Sequence, residues 1–149
     1  MIPLNRNLTP LKRSAIRVYS NLARETPDCA MLTIGEPDFD TPEAIKLAAM
    51  AALNDNQTHY APNQGTLALR HAIAEFETAR GNAASADNVL VTIGACNALF
   101  TALFGILDPG EEVIVRTPGF GLYETIATIA GAKTVPLDVT KTGFQITKE

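Results

Sequence analysis

A short run of small residues, Gly94-Ala95-Cys96, suggests the clearest chemistry in this 149-residue chain. It follows Val89 to Ile93, which favour a strand, and it opens an apolar helical pattern with no acidic residue at its start. A helix that begins directly after a strand leaves backbone N–H groups without acceptors at the positive end of its dipole. Such a turn suits a phosphate group. The alternative interpretation is an ordinary tight connection between a strand and a helix.

The elements that would position this turn follow from hydrophobic periodicity and turn residues. They predict helices at about residues 14–24, 41–53, 66–80, 94–107 and 119–130, and strands at residues 30–34, 89–93, 112–116 and 134–139. Ser14 and Thr41 are the expected N-caps of the first two helices, with Pro42 as the first helical residue of the second. The alternation from residue 89 to 139 predicts an α/β fold with a parallel sheet and helical crossovers. The apolar run 113–115 predicts a strand buried on both faces.

Composition limits the class of protein. The chain is 46% hydrophobic and 19% charged, as expected for one soluble globular domain, and its net charge of −4 argues against nucleic acid or an anionic membrane as the main partner. There is no membrane-length apolar run and no secretion-type apolar core at the N-terminus. The isolated Cys29 and Cys96 indicate neither a disulfide framework nor a zinc site, which favours a reduced, cytoplasmic setting.

The two ends of the sequence carry their own expectations. Residues 1–13 are polar and interrupted by proline, like an arm that needs a surface to lie against. The sequence stops a few residues after the strand at 134–139, without the helix that should cover the next edge of the sheet. We therefore expect the chain to be a fragment of a larger domain.

Four segments, in order, resemble the class I/II aminotransferases, pyridoxal 5'-phosphate (PLP) enzymes of fold type I. They are Ser14-Ala15-Ile16-Arg17, the block Gly35-Glu36-Pro37-Asp38-Phe39-Asp40-Thr41-Pro42, the stretch from Tyr60-Ala61-Pro62-Asn63-Gln64-Gly65 to Ile73, and the stretch from Val91 to Tyr123. The resemblance implies the N-terminal part of an aspartate-aminotransferase-like fold, incomplete at the C-terminus. Residues 1–35 would be the N-terminal arm and the first part of the small domain. Residues 36–149 would be the first part of the large PLP-binding domain.

The resemblance also implies how the cofactor is bound. Gly94-Ala95-Cys96 would hold the PLP phosphate through backbone amides, and Cys96 would contribute its N–H rather than its thiol. Phe120 would stack on the pyridine ring, the alternative being a core residue after a turn. Tyr60 would reach the phosphate of the neighbouring subunit's PLP, which implies a homodimer with active sites at the interface. A surface tyrosine in a polar loop is the other interpretation of Tyr60.

Substrate residues are implied in the same way. The backbone of Gly35 would lie against the substrate α-carboxylate, although a turn glycine after a strand is an adequate alternative. Ile16 would line the substrate pocket or belong to the core. Arg70 and Glu75 are expected to be solvated charges on a helix face.

The family's catalytic lysine is not recognisable in this chain. The five lysines at positions 12, 46, 133, 141 and 148 lack the setting of the Schiff-base lysine, and no catalytic residue is assigned here. The expected function is therefore a PLP-dependent aminotransferase that moves an amino group between an amino acid and a 2-oxo acid, present as an inactive N-terminal fragment. Three alternatives stay open: a fold-type-I carbon–sulfur lyase or an enzyme like aminocyclopropane-carboxylate synthase, a transcription regulator with an aminotransferase-like domain, and a truncated non-catalytic binding or partner protein.

Overall fold

The computed structural model describes residues 2–3 and 5–147, so Met1, Leu4, Lys148 and Glu149 lie outside the described residues. Within that part of the chain, five α-helices and two strands alternate with loops. They are α1 (Ala15–Glu25), α2 (Glu43–Asn54), α3 (Leu67–Ala79), α4 (Gly94–Ile106), β1 (Glu112–Thr117), α5 (Leu122–Ala130) and β2 (Lys133–Asp138). Single 3-10 turns lie at Arg6–Leu8, Ala86–Asn88 and Thr140–Thr142.

The chain divides into two compact units. The first comprises Met1–Asn21 with Ile93–Glu149, and the second comprises Leu22–Thr92. In the first unit β1 and β2 pair in parallel, from Glu112 opposite Lys133 to Thr117 opposite Asp138, and α5 is the crossover between them. This β–α–β unit confirms the predicted α/β class with a parallel sheet.

Helix α5 forms the centre of the first unit because both strands, α4 and the 3-10 turn Arg6–Leu8 all contact it. Ile126 and Ala127 on this helix are completely buried, and Val139 after β2 is almost completely buried. The Asn7 side chain donates a hydrogen bond from Nδ2 to the carbonyl oxygen of Ile129 at 3.1 Å. The 3-10 turn Arg6–Leu8 therefore lies against α5.

The second unit is built around α3 and the 3-10 turn Ala86–Asn88, which contact each other. Ala74 on α3 and Ala86 in the turn are its buried apolar residues among those described. Helix α2 precedes them and is exposed along nearly its whole length.

Two predicted strands do not form. Residues 30–34 have no regular structure, and residues 89–93 have no strand partner among the described residues, although Val89 has extended dihedral angles (φ −105°, ψ 126°). A strand needs a neighbour to accept and donate its backbone hydrogen bonds, which apolar composition alone does not supply. The described sheet therefore has two strands.

The starts of helices α2 and α5 differ from the prediction. Helix α2 starts at Glu43, with Pro42 rather than Thr41 as its N-cap residue, because Pro42 has non-helical dihedral angles (φ −53°, ψ 140°). Helix α5 starts at Leu122 rather than Gly119, since residues 118–121 form the turn that follows β1.

The expected burial of β1 on both faces is wrong. Exposure alternates along the strand, and Ile114 is 71% exposed. The side chains of Val113 and Val115 point to the opposite face from Ile114, because successive residues of a strand alternate. Among the described residues, α5 covers one face of the two-stranded sheet and nothing covers the face of Ile114.

Candidate functional site

The N-terminus of α4 is exposed to solvent, and its first turn carries no acidic residue. Gly94 has φ +78°, a conformation that favours glycine, and Ala95 and Cys96 follow it as exposed residues. Helix geometry gives the N–H groups of the first turn no acceptor one turn earlier within the helix, and the dipole is positive at that end. Apart from its chain neighbours and the backbone of its own helix, no described atom lies within 4 Å of the position a Gly94 β-carbon would take. The turn therefore has room for an anion.

The turn after β1 presents an aromatic ring. Phe120 lies between β1 and α5 and is 48% exposed, so part of its ring is available to another group. Its ring contacts that of Tyr123 edge to face, with 6.3 Å between ring centroids and 88° between the planes. The Phe120 ring therefore packs against the ring of Tyr123, and an edge-to-face contact of this kind restrains the orientation of the Phe120 ring.

Gly119 is the residue that makes this turn sterically feasible. A β-carbon there would lie 2.5 Å from the carbonyl oxygen of Arg116, a separation that real β-carbons do not show. By contrast, a β-carbon on Gly121 would meet no described atom within 4 Å. Only glycine at position 119 lets the chain reverse so tightly at the end of β1, and this requirement was not recognised in the sequence.

The remaining predicted site residues are Gly35, Tyr60 and Ile16. Tyr60 lies in the loop after α2 and is fully exposed, as a residue that reaches another molecule must be. Gly35 is exposed in an irregular segment, and a β-carbon there would meet no described atom within 4 Å. Ile16 lies in the first turn of α1 and is 43% exposed, so it does not belong to the core of the described residues.

The structure thus brings some of the predicted residues into one unit. Gly94, Ala95, Cys96 and Phe120 belong to the first unit, in which α4 packs against α5 directly after the Phe120 turn. Gly35 and Tyr60 belong to the second unit. The functional roles assigned to all of these residues stay predictions.

Arg70 is not the solvated charge that was expected. Its side chain is only 12% exposed, and Nη1 donates a hydrogen bond to the carbonyl oxygen of Ala86 at 2.8 Å. Oδ1 of Asp87 lies 3.8 Å from Nη1 of Arg70, and the Asp87 side chain is 96% exposed. Because solvent screens an exposed ion pair, this one contributes little to stability. In the sequence, the only indication of a structural role for Arg70 was its place after Leu69 in the third of the four segments that resemble the aminotransferases.

The first turn of α4 carries no acidic or basic side chain. The carboxyl group of Asp138, the last residue of β2, accepts hydrogen bonds from the Thr140 N–H at 2.9 Å and hydroxyl at 2.7 Å, which lower its pKa. Cys29 and Cys96 are both free and exposed. In the described part of the chain no three potential ligands among His, Cys, Asp and Glu lie together. The favourable electrostatics for an anion at α4 therefore come from the helix itself.

The described residues contain no helix with both the length and the apolar character needed to cross a bilayer.

Solved structures define the class of fold. Aspartate aminotransferase from Rhizobium meliloti superimposes with a TM-score of 0.88 at 35% sequence identity, over 99% of this chain and 38% of that one. Thermus thermophilus aspartate aminotransferase in complex with maleate gives a TM-score of 0.85 at 39% identity, over 95% of this chain and 38% of that one. The chain therefore has a partial aminotransferase fold.

The sequence comparison agrees. The probable N-acetyl-LL-diaminopimelate aminotransferase of Bacillus subtilis is 40% identical over 146 residues, which are 97% of this chain and 37% of that protein. The family model for aminotransferases of class I and II matches residues 27–149. The chain belongs to the class I and II aminotransferase family. It spans about a third of the length of the curated relatives it matches: 37% of the Bacillus subtilis protein and 34% of a second relative.

Proposed function

We propose that this chain is the N-terminal part of a PLP-dependent aminotransferase that moves an amino group between an amino acid and a 2-oxo acid. The observation that carries the proposal is the open N-terminus of α4 at Gly94–Cys96, without an acidic residue in its first turn, in a chain of the aminotransferase family. The donors available there fit the phosphate group of PLP. When bound, PLP withdraws electrons from the bonds at the substrate α-carbon, which is the chemistry that amino transfer requires.

The phosphate is held by backbone N–H groups in this proposal. Ala95 and Cys96 donate from the first turn of α4, where the helix dipole favours a negative charge. The absence of a side chain at Gly94 leaves the approach open. The thiol of Cys96 is a weak donor, so its backbone N–H is the group we assign.

Phe120 supplies a flat apolar surface for the pyridine ring. Its exposure of 48% leaves ring surface for stacking, and the contact with Tyr123 restrains its orientation. Stacking of this kind positions a planar ring without requiring a polar group. Gly119 contributes by allowing the tight turn that presents Phe120.

Residues of the second unit and of α1 complete the proposed machinery. The hydroxyl of Tyr60 donates a hydrogen bond to the phosphate bound by a neighbouring subunit, so the protein acts as a homodimer with active sites at the interface. Full exposure of Tyr60 supports this role. The backbone of Gly35 lies against the substrate α-carboxylate, and Ile16 lines the substrate pocket. Residues 1–35 belong to the arm and small domain, residues 36–149 to the large domain, and the enzyme is cytoplasmic.

The covalent attachment of the cofactor requires a lysine outside residues 1–149. This chain binds and orients the cofactor, whereas the remainder of the protein supplies the lysine, the carboxylate at the pyridine nitrogen and the arginine for the substrate carboxylate. The 149-residue chain by itself is therefore inactive.

The test is an assay of the protein purified from its natural gene, loaded with PLP. A panel of amino acids is incubated with and without a 2-oxo acid, and the new amino acid, pyruvate and ammonia are all measured. We expect amino transfer that depends on the 2-oxo acid and disappears when PLP is removed. Pyruvate and ammonia released without a 2-oxo acid would instead assign the protein to the carbon–sulfur lyases. No turnover and no PLP binding would favour a non-catalytic partner protein.

A further inference from the structure

The ring of Tyr123, the second residue of α5, packs against the ring of Phe120 in the turn before that helix. The ring planes are nearly perpendicular, at 88°, and the ring centroids are 6.3 Å apart. In such an edge-to-face pair the positive edge of one ring meets the negative face of the other, which favours this arrangement over a face-to-face sandwich. The contact joins a residue of the turn to a residue of the helix, so α5 restrains the ring that the turn carries.

The backbone of the same turn is also bonded to α5. The N–H of Tyr123 donates a long hydrogen bond, of 3.4 Å, to the carbonyl oxygen of Phe120. The carbonyl oxygen of Gly121 accepts two hydrogen bonds from Thr125, one from its N–H at 3.1 Å and one from its hydroxyl at 3.0 Å. Because the backbone at residues 120 and 121 has these partners, the main freedom left to Phe120 is the rotamer of its side chain.

The rotamer of Phe120 matters because its ring is half exposed. An exposed side chain changes rotamer rapidly unless a neighbour favours one of its orientations. Among the described residues, Tyr123 is the aromatic partner of Phe120. A planar ligand that stacks on Phe120 needs one orientation of the ring, and ordering a mobile side chain on binding reduces affinity.

We propose that Tyr123 is a positioning residue for the cofactor, acting through Phe120. This inference rests on the proposed function, because it takes Phe120 as the ring that stacks on the pyridine ring of PLP. Tyr123 holds Phe120 in one orientation before PLP binds, so less side-chain freedom is lost on binding. The ring of Tyr123 performs this role without its hydroxyl, since an edge-to-face contact requires only the aromatic ring.

The experiment compares Tyr123→Leu with Tyr123→Phe in the protein purified from its natural gene. Leucine removes the ring, whereas phenylalanine removes only the hydroxyl. Fluorescence titration of the cofactor-free protein gives the dissociation constant for PLP. We expect Tyr123→Leu to weaken PLP binding by about 2- to 5-fold, a part of the effect of an aromatic pair, and Tyr123→Phe to bind like the unsubstituted protein. Equal losses in both variants would assign the effect to the hydroxyl and overturn the proposal, and so would no loss in either.

A double-mutant cycle with Phe120→Leu shows whether Tyr123 acts through Phe120. When position 120 has no ring to orient, adding Tyr123→Leu should leave the PLP dissociation constant unchanged. The circular dichroism of bound PLP depends on the orientation of the pyridine ring, so we expect it to change in Tyr123→Leu and to stay the same in Tyr123→Phe. A further loss of affinity in the double variant, equal to that of Tyr123→Leu alone, overturns the proposal.

A second aromatic pair in the same unit provides a matched control. The rings of Phe100 and Phe104 on α4 are stacked, with 5.2 Å between centroids and 10° between planes, and Phe104 is exposed to nearly the same degree as Phe120. Phe104→Leu removes one ring of this pair and changes no residue of the turn after β1. We expect PLP binding to stay unchanged. A loss as large as that of Tyr123→Leu would show a general effect of losing an aromatic pair and contradict the proposal.

The outcomes separate this inference from the proposed function. If Phe120→Leu weakens PLP binding and Tyr123→Leu does not, the inference fails while the stacking role remains. If the unsubstituted protein binds no PLP, the proposed function fails, and NMR then tests the contact itself. A single Phe120 rotamer in Tyr123→Phe and an averaged one in Tyr123→Leu support the positioning contact, whereas the same rotamer populations in both contradict it.

A replacement variant covers the case in which Tyr123→Leu does not fold. Tyr123→Gln also lacks a ring, and glutamine is a good helix former that suits a partly exposed position. The same loss of PLP affinity is expected, again absent when Phe120 is leucine. Unchanged affinity in Tyr123→Gln overturns the proposal.

Discussion

The exposed ring of Phe120 depends on its neighbour Gly119, because that residue has no side chain. The ring of Phe120 is half exposed, and the turn that carries it exists only because Arg116 O and Gly119 can approach within a distance that excludes a β-carbon. The sequence pattern places a turn before Phe120 but starts the next helix at Gly119, whereas the turn extends over residues 118–121. The close approach of Gly119 to Arg116 depends on distances that no sequence pattern contains, so the steric need for Gly119 was not predictable.

Substituting Phe120 by leucine tests the stacking role. Leucine keeps the apolar volume but loses the flat face, so we expect PLP binding to weaken about 3- to 10-fold, the equivalent of an aromatic pair. Fluorescence titration of the cofactor-free protein measures the dissociation constant. Phe76→Leu serves as the control because Phe76 is exposed to a similar degree, 59%, and lies on α3. Equal effects of the two substitutions would contradict the stacking role.

Arg70 illustrates a residue whose environment the sequence could not give. A charged residue on an amphipathic helix is normally solvated, yet Arg70 lies against the turn at Ala86, sixteen residues further along the chain. The hydrogen bond depends on how the loop after α3 folds back. Helical periodicity predicts the helix and its faces, but not which polar side chain a returning loop will cover.

At the scale of elements, helix α4 is the clearest success of sequence reasoning. Its start at Gly94 follows from the small residues after an apolar run, and its end at Ile106 lies one residue from the predicted end. Its first turn carries no charge, so the helix dipole is not compensated there. This makes the N-terminus of α4 sensitive to any charge placed in it.

Substituting Cys96 by aspartate tests helix stability and anion binding separately, because a carboxylate in the first turn should affect the two in opposite directions. Cys96→Asp should stabilise the helix slightly, by about 0.3–1 kcal/mol, because an acidic side chain in the first turn complements the dipole. The same charge should weaken PLP binding by about tenfold or more through repulsion of the phosphate. Cys96→Asn has nearly the same shape without the charge and is the matched control. The melting temperature and the PLP dissociation constant are measured for both.

If Cys96→Asp and Cys96→Asn bind PLP equally well, no phosphate lies at the N-terminus of α4. That result would leave the family membership of the chain intact and remove the proposed site.

The turn between β1 and α5 has its own test. Gly119→Ala should destabilise the protein by about 1–3 kcal/mol, since the methyl group must displace the backbone at Arg116. Gly121→Ala, two residues later, should change the stability by less than about 0.5 kcal/mol because its β-carbon would have no described neighbour within 4 Å. Urea denaturation of both variants gives the two free energies of unfolding. A cost for Gly121→Ala as large as that for Gly119→Ala would show that the turn tolerates no alanine at either position, and the specific clash would not be its cause.

Strands were harder to predict than helices, for a physical reason. A helix satisfies its backbone hydrogen bonds within itself, so a local pattern is sufficient to predict it. A strand needs another strand to pair with, and among the described residues neither 30–34 nor 89–93 pairs with a strand. Residues 113–115 lie in β1, and their apolar pattern predicted a strand covered on both faces. Among the described residues, only one face of β1 is covered.

At the scale of the whole molecule, the chain is a coherent part of a larger family architecture. Its structure superimposes on aspartate aminotransferases with TM-scores of 0.85 and 0.88, while covering 38% of each of those chains. Large apolar side chains stay uncovered in the described residues, among them Ile106 on α4 and Ile114 on β1. Exposed apolar surface of this kind marks faces that bind other protein surfaces. The arrangement agrees with our proposal that further protein completes the fold and the site.

The most direct test of the central proposal is the intact mass of the protein purified from its natural gene, after incubation with PLP and reduction with borohydride. We predict one phosphopyridoxyl group per subunit, and peptide mapping should place it on a lysine outside residues 1–149. A protein without the adduct, or an adduct on a lysine within residues 1–149, would contradict the account.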